Sequence, residues 1–232
     1  MKIFRLLLMI VCLLASISSQ AVFCADEESE LFLVAQRAFE DGFYDVSIRY
    51  IEDFQSKFPQ SERAIQARLL LGQCYFFKNQ YLKAFELFQK LTPATEYKDA
   101  VLFWLGETYL KTSDYAKAEE QYQQLIRIYP ESSYVPQAYY SWAWVYFEQK
   151  KFSDAQEIYE EFIQKFPRHE LAEDAHLKIA ECKFKTFGTS DIWTQEAEIT
   201  SYRDLILHDV STKDFFRGHA WLIHSNKFKT LI

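Results

Sequence analysis

Cysteine, glycine and proline are all scarce in this chain. Four cysteines in 232 residues, at positions 12, 24, 74 and 182 and without C-x-x-C spacing, exclude a disulfide-stapled mini-protein and the usual zinc or thiol-redox motifs. Five glycines and five prolines are too few turn-formers for an all-β fold of many short strands. Clusters of Lys and Arg are missing as well. A phosphate-binding surface needs such a stripe to release counterions, so nucleic acid is not an expected partner.

Catalytic signatures are absent too. The chain has no G-x-S-x-G nucleophile elbow, no P-loop, no H-E-x-x-H and no paired Cys or His ligands. Its histidines, at 169, 176, 208, 219 and 224, share no ligand spacing; His219 and His224 are five apart, which misses a common helical face. They are expected to be solvated or to cap backbone. Glu119-Glu120 and Glu160-Glu161 have lysines nearby and suit an exposed, soluble helix face. No enzyme activity, cofactor or metal is expected.

What remains is aromatic bulk: 21 Phe, 15 Tyr and five Trp, with 49% hydrophobic and 25% charged residues, a balance typical of a folded helical protein. The first residues stand apart. Lys2 and Arg5 precede the apolar run Leu6 to Ala15, and small and polar residues follow to Ala21. These are the three regions of a secretory signal peptide. Ten apolar residues fall short of the roughly 20 that span a bilayer. The expected leader is residues 1–21, or to residue 25, with Ser19 and Ala21 as the small residues before the cut. Its loss removes two positive charges and takes the formal charge from −7 to −9. Cys24 follows Phe23 rather than a small residue, so membrane association is expected only if Cys24 is lipidated or through a partner.

The rest of the chain repeats itself. Leu70-Leu71-Gly72-Gln73-Cys74-Tyr75 and Trp104-Leu105-Gly106-Glu107-Thr108-Tyr109 lie 34 residues apart, and Ser141-Trp142-Ala143-Trp144-Val145-Tyr146 follows 37 later. Twelve residues beyond each small residue comes another: Ala35 to Ser47, Gly72 to Ala84, Gly106 to Ala118 and Ala143 to Ala155. Each second small residue follows an aromatic by three (Tyr44, Tyr81, Tyr115, Phe152) and precedes Ile51, Phe88, Tyr122 or Tyr159 by four. Three units then close on Phe58-Pro59, Tyr129-Pro130 and Phe166-Pro167. Such a unit is a helical hairpin: the small residues let helix A approach helix B, apolar residues fill the seam, and proline ends helix B. Turn residues Lys78-Asn79-Gln80 and Thr112-Ser113-Asp114 separate the two helices, with Ser113 or Asp114 expected to cap the second. Cys74 and Cys182 occupy equivalent places in different repeats and are expected as half-buried, unbridged thiols.

This spacing resembles the tetratricopeptide repeat (TPR) family. The resemblance implies an all-α, right-handed solenoid of antiparallel helix pairs with about five repeats over residues 28–210. Four units cover 28–167. A fifth opens at Ala172 to Lys185, is lengthened around Phe187 to Thr194 and has Ile199 to Leu207 as its helix B. Residues 211–232 are a cap or a truncated sixth repeat, with Ala220 marking a sixth helix A. Stacking should bury the face each hairpin leaves open, so one cooperative array is expected rather than separate globular domains.

The resemblance also implies that partners lie along helix A, at the second, fifth, ninth, twelfth and thirteenth places. Carried onto this chain, the candidate peptide-binding residues are Phe32, Gln36, Leu69, Gln73, Phe103, Glu107, Tyr140, Trp144, Phe147 and Leu177. Aromatic and aliphatic side chains among Gln and Glu suit a protein or peptide segment with apolar anchors more than a free carboxylate. Within the superfamily, Phe58-Pro59-Gln60-Ser61-Glu62 followed by Ala64 and Ala67, and Phe166-Pro167-Arg168-His169 followed by Ala172 and Ala175, resemble the BamD/YfiO-type outer-membrane assembly lipoproteins. Periplasmic Tol-Pal-associated TPR proteins are similar over the same repeats. The implied role is a non-catalytic protein-binding scaffold of the bacterial cell envelope, in outer-membrane protein assembly or as an adaptor for peptidoglycan and division machinery. Its implied location is the periplasm or the periplasmic face of the outer membrane.

Overall fold

The computed structural model describes residues 27–92 and 96–192. The expected leader, Cys24, the segment Ile199 to Leu207 and residues 211–232 lie outside them. Among the described residues every regular element is a helix: α1 (27–40), α2 (Tyr44–Lys57), α3 (Ala64–Phe77), α4 (Tyr81–Leu91), α5 (Lys98–Lys111), α6 (Tyr115–Ile128), α7 (Val135–Glu148), α8 (Phe152–Lys165) and α9 (Ala172–Ile192). The odd-numbered helices are the A helices anticipated above and the even-numbered ones the B helices. The chain forms two compact units, residues 1–80 and 81–232, divided at the turn between α3 and α4.

Burial separates the two kinds of helix. Each B helix sinks one stripe, a small residue followed at i+4 and i+7 by large apolar ones: Ser47, Ile51 and Phe54; Ala84, Phe88 and Leu91; Ala118, Tyr122 and Leu125; Ala155, Tyr159 and Phe162. That is the period of a half-buried helix. In α5, by contrast, Ala100 through Thr108 are buried without interruption, as a helix flanked on both sides requires. In the second unit successive helices pack in chain order from α4 to α9, with α5 also touching α7.

The first unit shows the hairpin seam directly. Ser47 on α2 donates its hydroxyl to the Ala35 carbonyl on α1 at 2.8 Å, and the Cys74 thiol on α3 donates to Ser47 Oγ at 3.3 Å. Phe32 meets Phe54 at 5.6 Å, and Tyr44 stacks on Phe77 at 5.2 Å. In the second unit α5 and α6 approach closely at Gly106, where an added Cβ would stand 2.6 Å from Tyr122 Cε1. Cys74 and Cys182 are both free and fully buried.

The turn after each A helix takes one form in four repeats. Gly42, Asn79, Ser113 and Lys150 have φ of 78°, 58°, 61° and 61°. Each donates its N–H to the carbonyl three residues back, and the next residue donates five back, as in Ser113 to Leu110 (3.0 Å) and Asp114 to Tyr109 (2.9 Å). This is the Schellman closure. It corrects the expected capping by Ser113 or Asp114. Ser113 is the left-handed residue, and Asp114 holds the N-cap place without a side-chain cap bond. The Asp114 carboxylate instead accepts from Lys117 Nζ at 2.6 Å, and that ammonium holds its pKa below the usual carboxylate value.

Where α2, α6 and α8 stop, Phe58, Tyr129 and Phe166 have φ near −125° and donate to the carbonyl four back. The prolines that follow cannot extend the helix and disfavour helical backbone at the residue before them. Ser61, Ser132 and His169 then pin the loop to the next helix. Their side chains accept from the N–H groups of Arg63 (3.0 Å), Tyr134 (3.2 Å) and Leu171 (3.2 Å). His169 thus caps backbone, as expected. The Ser61 and Ser132 hydroxyls also reach 33 residues back, to Glu28 and Asp99, at 2.6 Å each.

A candidate partner-binding face

Within the second unit the A helices meet through side-chain pairs 34 residues apart. Ser141 on α7 donates its hydroxyl to Glu107 Oε1 on α5 at 2.6 Å, the Tyr140 hydroxyl hydrogen-bonds Asp174 on α9, and Lys178 on α9 covers Trp144 on α7. The ninth place of one repeat therefore meets the sixth of the next, twice.

The two rungs differ in chemistry. Around Glu107 the contact is polar and closed: the residue is 1% exposed and its carboxylate takes both the Ser141 hydroxyl and the Tyr122 hydroxyl, the latter at 2.8 Å. Around Trp144 the contact is aromatic and cationic. Trp144 stacks on Phe147 with centroids 5.1 Å apart and planes 13° apart, and Lys178 Nζ lies 4.6 Å from the first ring and 5.2 Å from the second. Glu181 Oε2 accepts from the same ammonium at 3.0 Å.

Of the residues expected to bind a partner, Phe32, Leu69, Gln73, Phe103, Glu107 and Tyr140 are buried, whereas Gln36, Trp144, Phe147 and Leu177 keep part of their surface exposed. Phe103 sits in the hairpin seam beside Tyr122 and stacks at 5.0 Å on Tyr134. Tyr140 packs edge-on against Tyr159 at 5.2 Å. The fifth place in these repeats thus fills the core between helices A and B. Among the groove places of the second unit, accessible aromatic surface is carried by the ninth and twelfth places of α7 and by the twelfth of α9, where Phe184 is 44% exposed. Lys178 was not foreseen. Its signal was a lone lysine in the apolar run Leu177-Lys178-Ile179-Ala180, 34 residues after Trp144.

The buried phenols and thiols are held in their neutral forms. Burial, with nearby carboxylates, holds the phenols of Tyr122, Tyr140 and Tyr159 well above the usual tyrosine pKa, so they stay protonated. Burial also pushes the thiols of Cys74 and Cys182 from 9.0 to about 12, far from a reactive thiolate at neutral pH. Among the described residues no group of three or more His, Cys, Asp or Glu side chains is placed to hold a metal ion. No described helix is long and apolar enough to cross a membrane.

Comparison with known proteins agrees with the repeat. The sequence profile of YfiO, an outer membrane lipoprotein family, matches residues 95–190, and a tetratricopeptide repeat profile matches residues 20–117. No curated protein sequence matches. Solved structures share the fold at low identity. A tetratricopeptide repeat protein from Parabacteroides merdae is 14% identical with a TM-score of 0.54, over 68% of this chain and 60% of that one. MamA from Desulfovibrio magneticus RS-1 is 15% identical with a TM-score of 0.60, over 79% of this chain and 97% of the other. PilF of Pseudomonas aeruginosa is 15% identical with a TM-score of 0.57, over 70% of each chain. The chain has the all-α TPR solenoid fold and resembles the YfiO-type lipoproteins.

Proposed function

We propose that this protein is a non-catalytic, protein-binding scaffold of the bacterial cell envelope, engaging segments of other proteins on the A-helix face of its last described repeats and serving outer-membrane protein assembly. One observation carries the reading. The stretch matched by the outer membrane lipoprotein profile, residues 95–190, contains α5 to α8 and most of α9, and with them the partly exposed Trp144, Phe147, Leu177 and Phe184. Large aromatics that remain accessible on a rigid scaffold are the usual anchors of protein interfaces. The neutral phenols and thiols around them offer no nucleophile or general base at neutral pH.

Export rests on the charged, apolar and small-residue regions of residues 1–21 and places the protein in the periplasm or on the periplasmic face of the outer membrane. Cys24 decides the mode of attachment. Labelling with a fatty-acid analogue that Cys24→Ser abolishes would make it an anchor, whereas an unlabelled chain would leave attachment to partners.

The direct test is photocrosslinking in the native cells from position 184, which is exposed, with position 140, which is buried, as the silent control. Capture of barrel precursors or assembly subunits supports the proposal. Capture of peptidoglycan-associated or division proteins would move the scaffold to that machinery. No adduct from 184 above the level from 140 refutes this face as a binding surface.

A further inference from the structure

The outer face of α1 differs from that of the later A helices. In those helices the third, sixth and tenth places form a buried stripe, as with Ala67, Leu70 and Cys74 on α3 and Ala138, Ser141 and Val145 on α7. The stripe receives the repeat before it: Cys74 reaches Ser47 on α2, and Ser141 reaches Glu107 on α5. On α1 the same places hold Glu30, Leu33 and Arg37. All three are exposed, Leu33 at 45%, and Val34 beside them is half-buried. By helical period this stripe lies opposite Phe32 and Ala35, which meet α2 in the hairpin seam.

A terminal repeat needs a polar outer face to stay soluble, and that need accounts for Glu30 and Arg37 taken singly. It does not account for a leucine left open between them, nor for their placement. The two charges stand two turns apart, too far to pair with each other, and among the described residues neither side chain makes an ion pair or a hydrogen bond. Nearby carboxylates are taken: Glu27 by Lys57, Glu28 by Ser61 and Asp45 by Lys78. Glu30 and Arg37 lie symmetrically about the point between Leu33 and Val34.

We infer that this face binds a second copy of the chain, α1 against α1 in antiparallel. A two-fold axis through the point between Leu33 and Val34 brings Glu30 of one copy opposite Arg37 of the other, twice, and closes the two Leu33–Val34 patches on each other. Parallel pairing would set Glu30 against Glu30 and Arg37 against Arg37, so the charges select the antiparallel orientation. Of the remaining acids, Glu40 comes opposite Glu27, whose charge Lys57 already offsets at 2.9 Å, and Asp41 lies past the helix end in the turn. One helix pair buries less than a standard interface, so the dimer is weak and its population follows concentration. The contact uses none of the residues assigned above to partner binding.

The experiment is sedimentation velocity of the exported, processed full chain over a wide range of concentration, under reducing conditions that exclude a Cys24 disulfide. The wild type should move from monomer toward dimer as concentration rises, and less so in high salt. Glu30→Arg and Arg37→Glu each set like charges opposite one another at both ends of the contact, and each should raise the dissociation constant at least about tenfold. An equimolar mixture of the two variants should dimerise again, because each supplies the charges the other lacks. Leu33→Ser should weaken association with an unchanged unfolding midpoint, since that side chain lies largely outside the core. In cells, a photocrosslinker at position 33 should give an adduct of two chains joined through residues 30–37.

A wild type that stays monomeric throughout, a dimer indifferent to both charge reversals, or reversal variants that remain apart on mixing would each overturn the inference. So would an adduct from position 33 to another protein, or to residues 22–26 of the same chain. Capture from position 184 bears on the scaffold reading alone, so the two can fail separately.

Discussion

Replacing Gly106 tests the packing logic at a close helix contact. An alanine Cβ at that position would stand 2.6, 2.9 and 3.0 Å from Cε1, Cδ1 and Cζ of Tyr122, well inside contact distance. The ring cannot simply turn away. Tyr122 is 0% exposed, has Phe103 at 6.4 Å, and is tethered by its hydroxyl to Glu107 Oε1 at 2.8 Å. Overpacking of this kind costs about 1–3 kcal/mol, while alanine's better helix propensity returns at most about 1 kcal/mol. The net loss for Gly106→Ala should be roughly 0.5–2 kcal/mol, or about 2–4 °C of midpoint per kcal/mol for a chain of this length. Gly106→Val should lie at or above the upper end, since it adds bulk with less return. The next repeat supplies a comparison. There Ala143 and Tyr159, the equivalent residues, are buried in one core cluster, but the place of Glu107 is taken by Trp144, so the ring is not tethered in the same way. Tyr122→Phe should accordingly soften the Gly106→Ala penalty, giving a coupling of at least about 0.5 kcal/mol in a double-mutant cycle read by urea unfolding and far-UV circular dichroism. A Gly106→Ala midpoint equal to or above that of the wild type would refute the close approach, and strict additivity with Tyr122→Phe would refute the role of the tether.

Lys150 occupies a left-handed turn position at φ 61° that only glycine accepts without cost; Lys150→Gly should raise stability by about 1 kcal/mol, whereas Gly42→Ala, at φ 78°, should lower it, and thermal melts that rank the two the other way would contradict the turn. Glu107→Ala leaves the hydroxyls of Tyr122 and Ser141 without their shared acceptor and should cost about 2–4 kcal/mol, more than Tyr122→Phe at about 1 kcal/mol; a smaller loss for Glu107→Ala in chemical denaturation would mean the carboxyl is dispensable. The thiols of Cys74 and Cys182 are raised from 9.0 to about 12 by burial, so folding favours their protonated forms. That contribution is complete below pH 9 and is lost as pH rises toward 12, because the unfolded chain releases the protons first. Wild-type stability should begin to fall near pH 9, and the Cys74→Ala, Cys182→Ala double variant should hold level until the tyrosines titrate. Native thiols should likewise stay unreactive to iodoacetamide at pH 8, and rapid labelling would contradict their burial.

The hairpins were legible because their determinants are local. A small residue, another twelve later, and apolar residues at i+4 and i+7 can only be satisfied by two helices crossing closely, and Phe-Pro or Tyr-Pro marks where the second must stop. Partner-facing positions were less legible. Phe103 and Trp144 are both large aromatics at places that the TPR resemblance assigns to the groove, yet the first fills the seam against Tyr122 and Tyr134 and the second lies at the accessible edge. The difference is made by residues on other helices, Tyr122 and Tyr134 in the first case and Lys178 in the second. Ser113 and Lys150 likewise gave no sign of a left-handed turn, since only Gly42 among the equivalent places is the residue that conformation prefers.

By itself, then, the sequence determined the all-α class, the repeat length, the small-residue contacts and the ends of the helices, all consequences of helical period and backbone sterics within one unit. Only the tertiary structure decided that Glu107 is enclosed by Tyr122 and Ser141, that Lys178 is held over Trp144 and Phe147, and that Phe184 is left to solvent. Burial and pairing depend on which side chains the partner helix and the neighbouring repeat bring within a few ångströms, and helical period alone does not encode that.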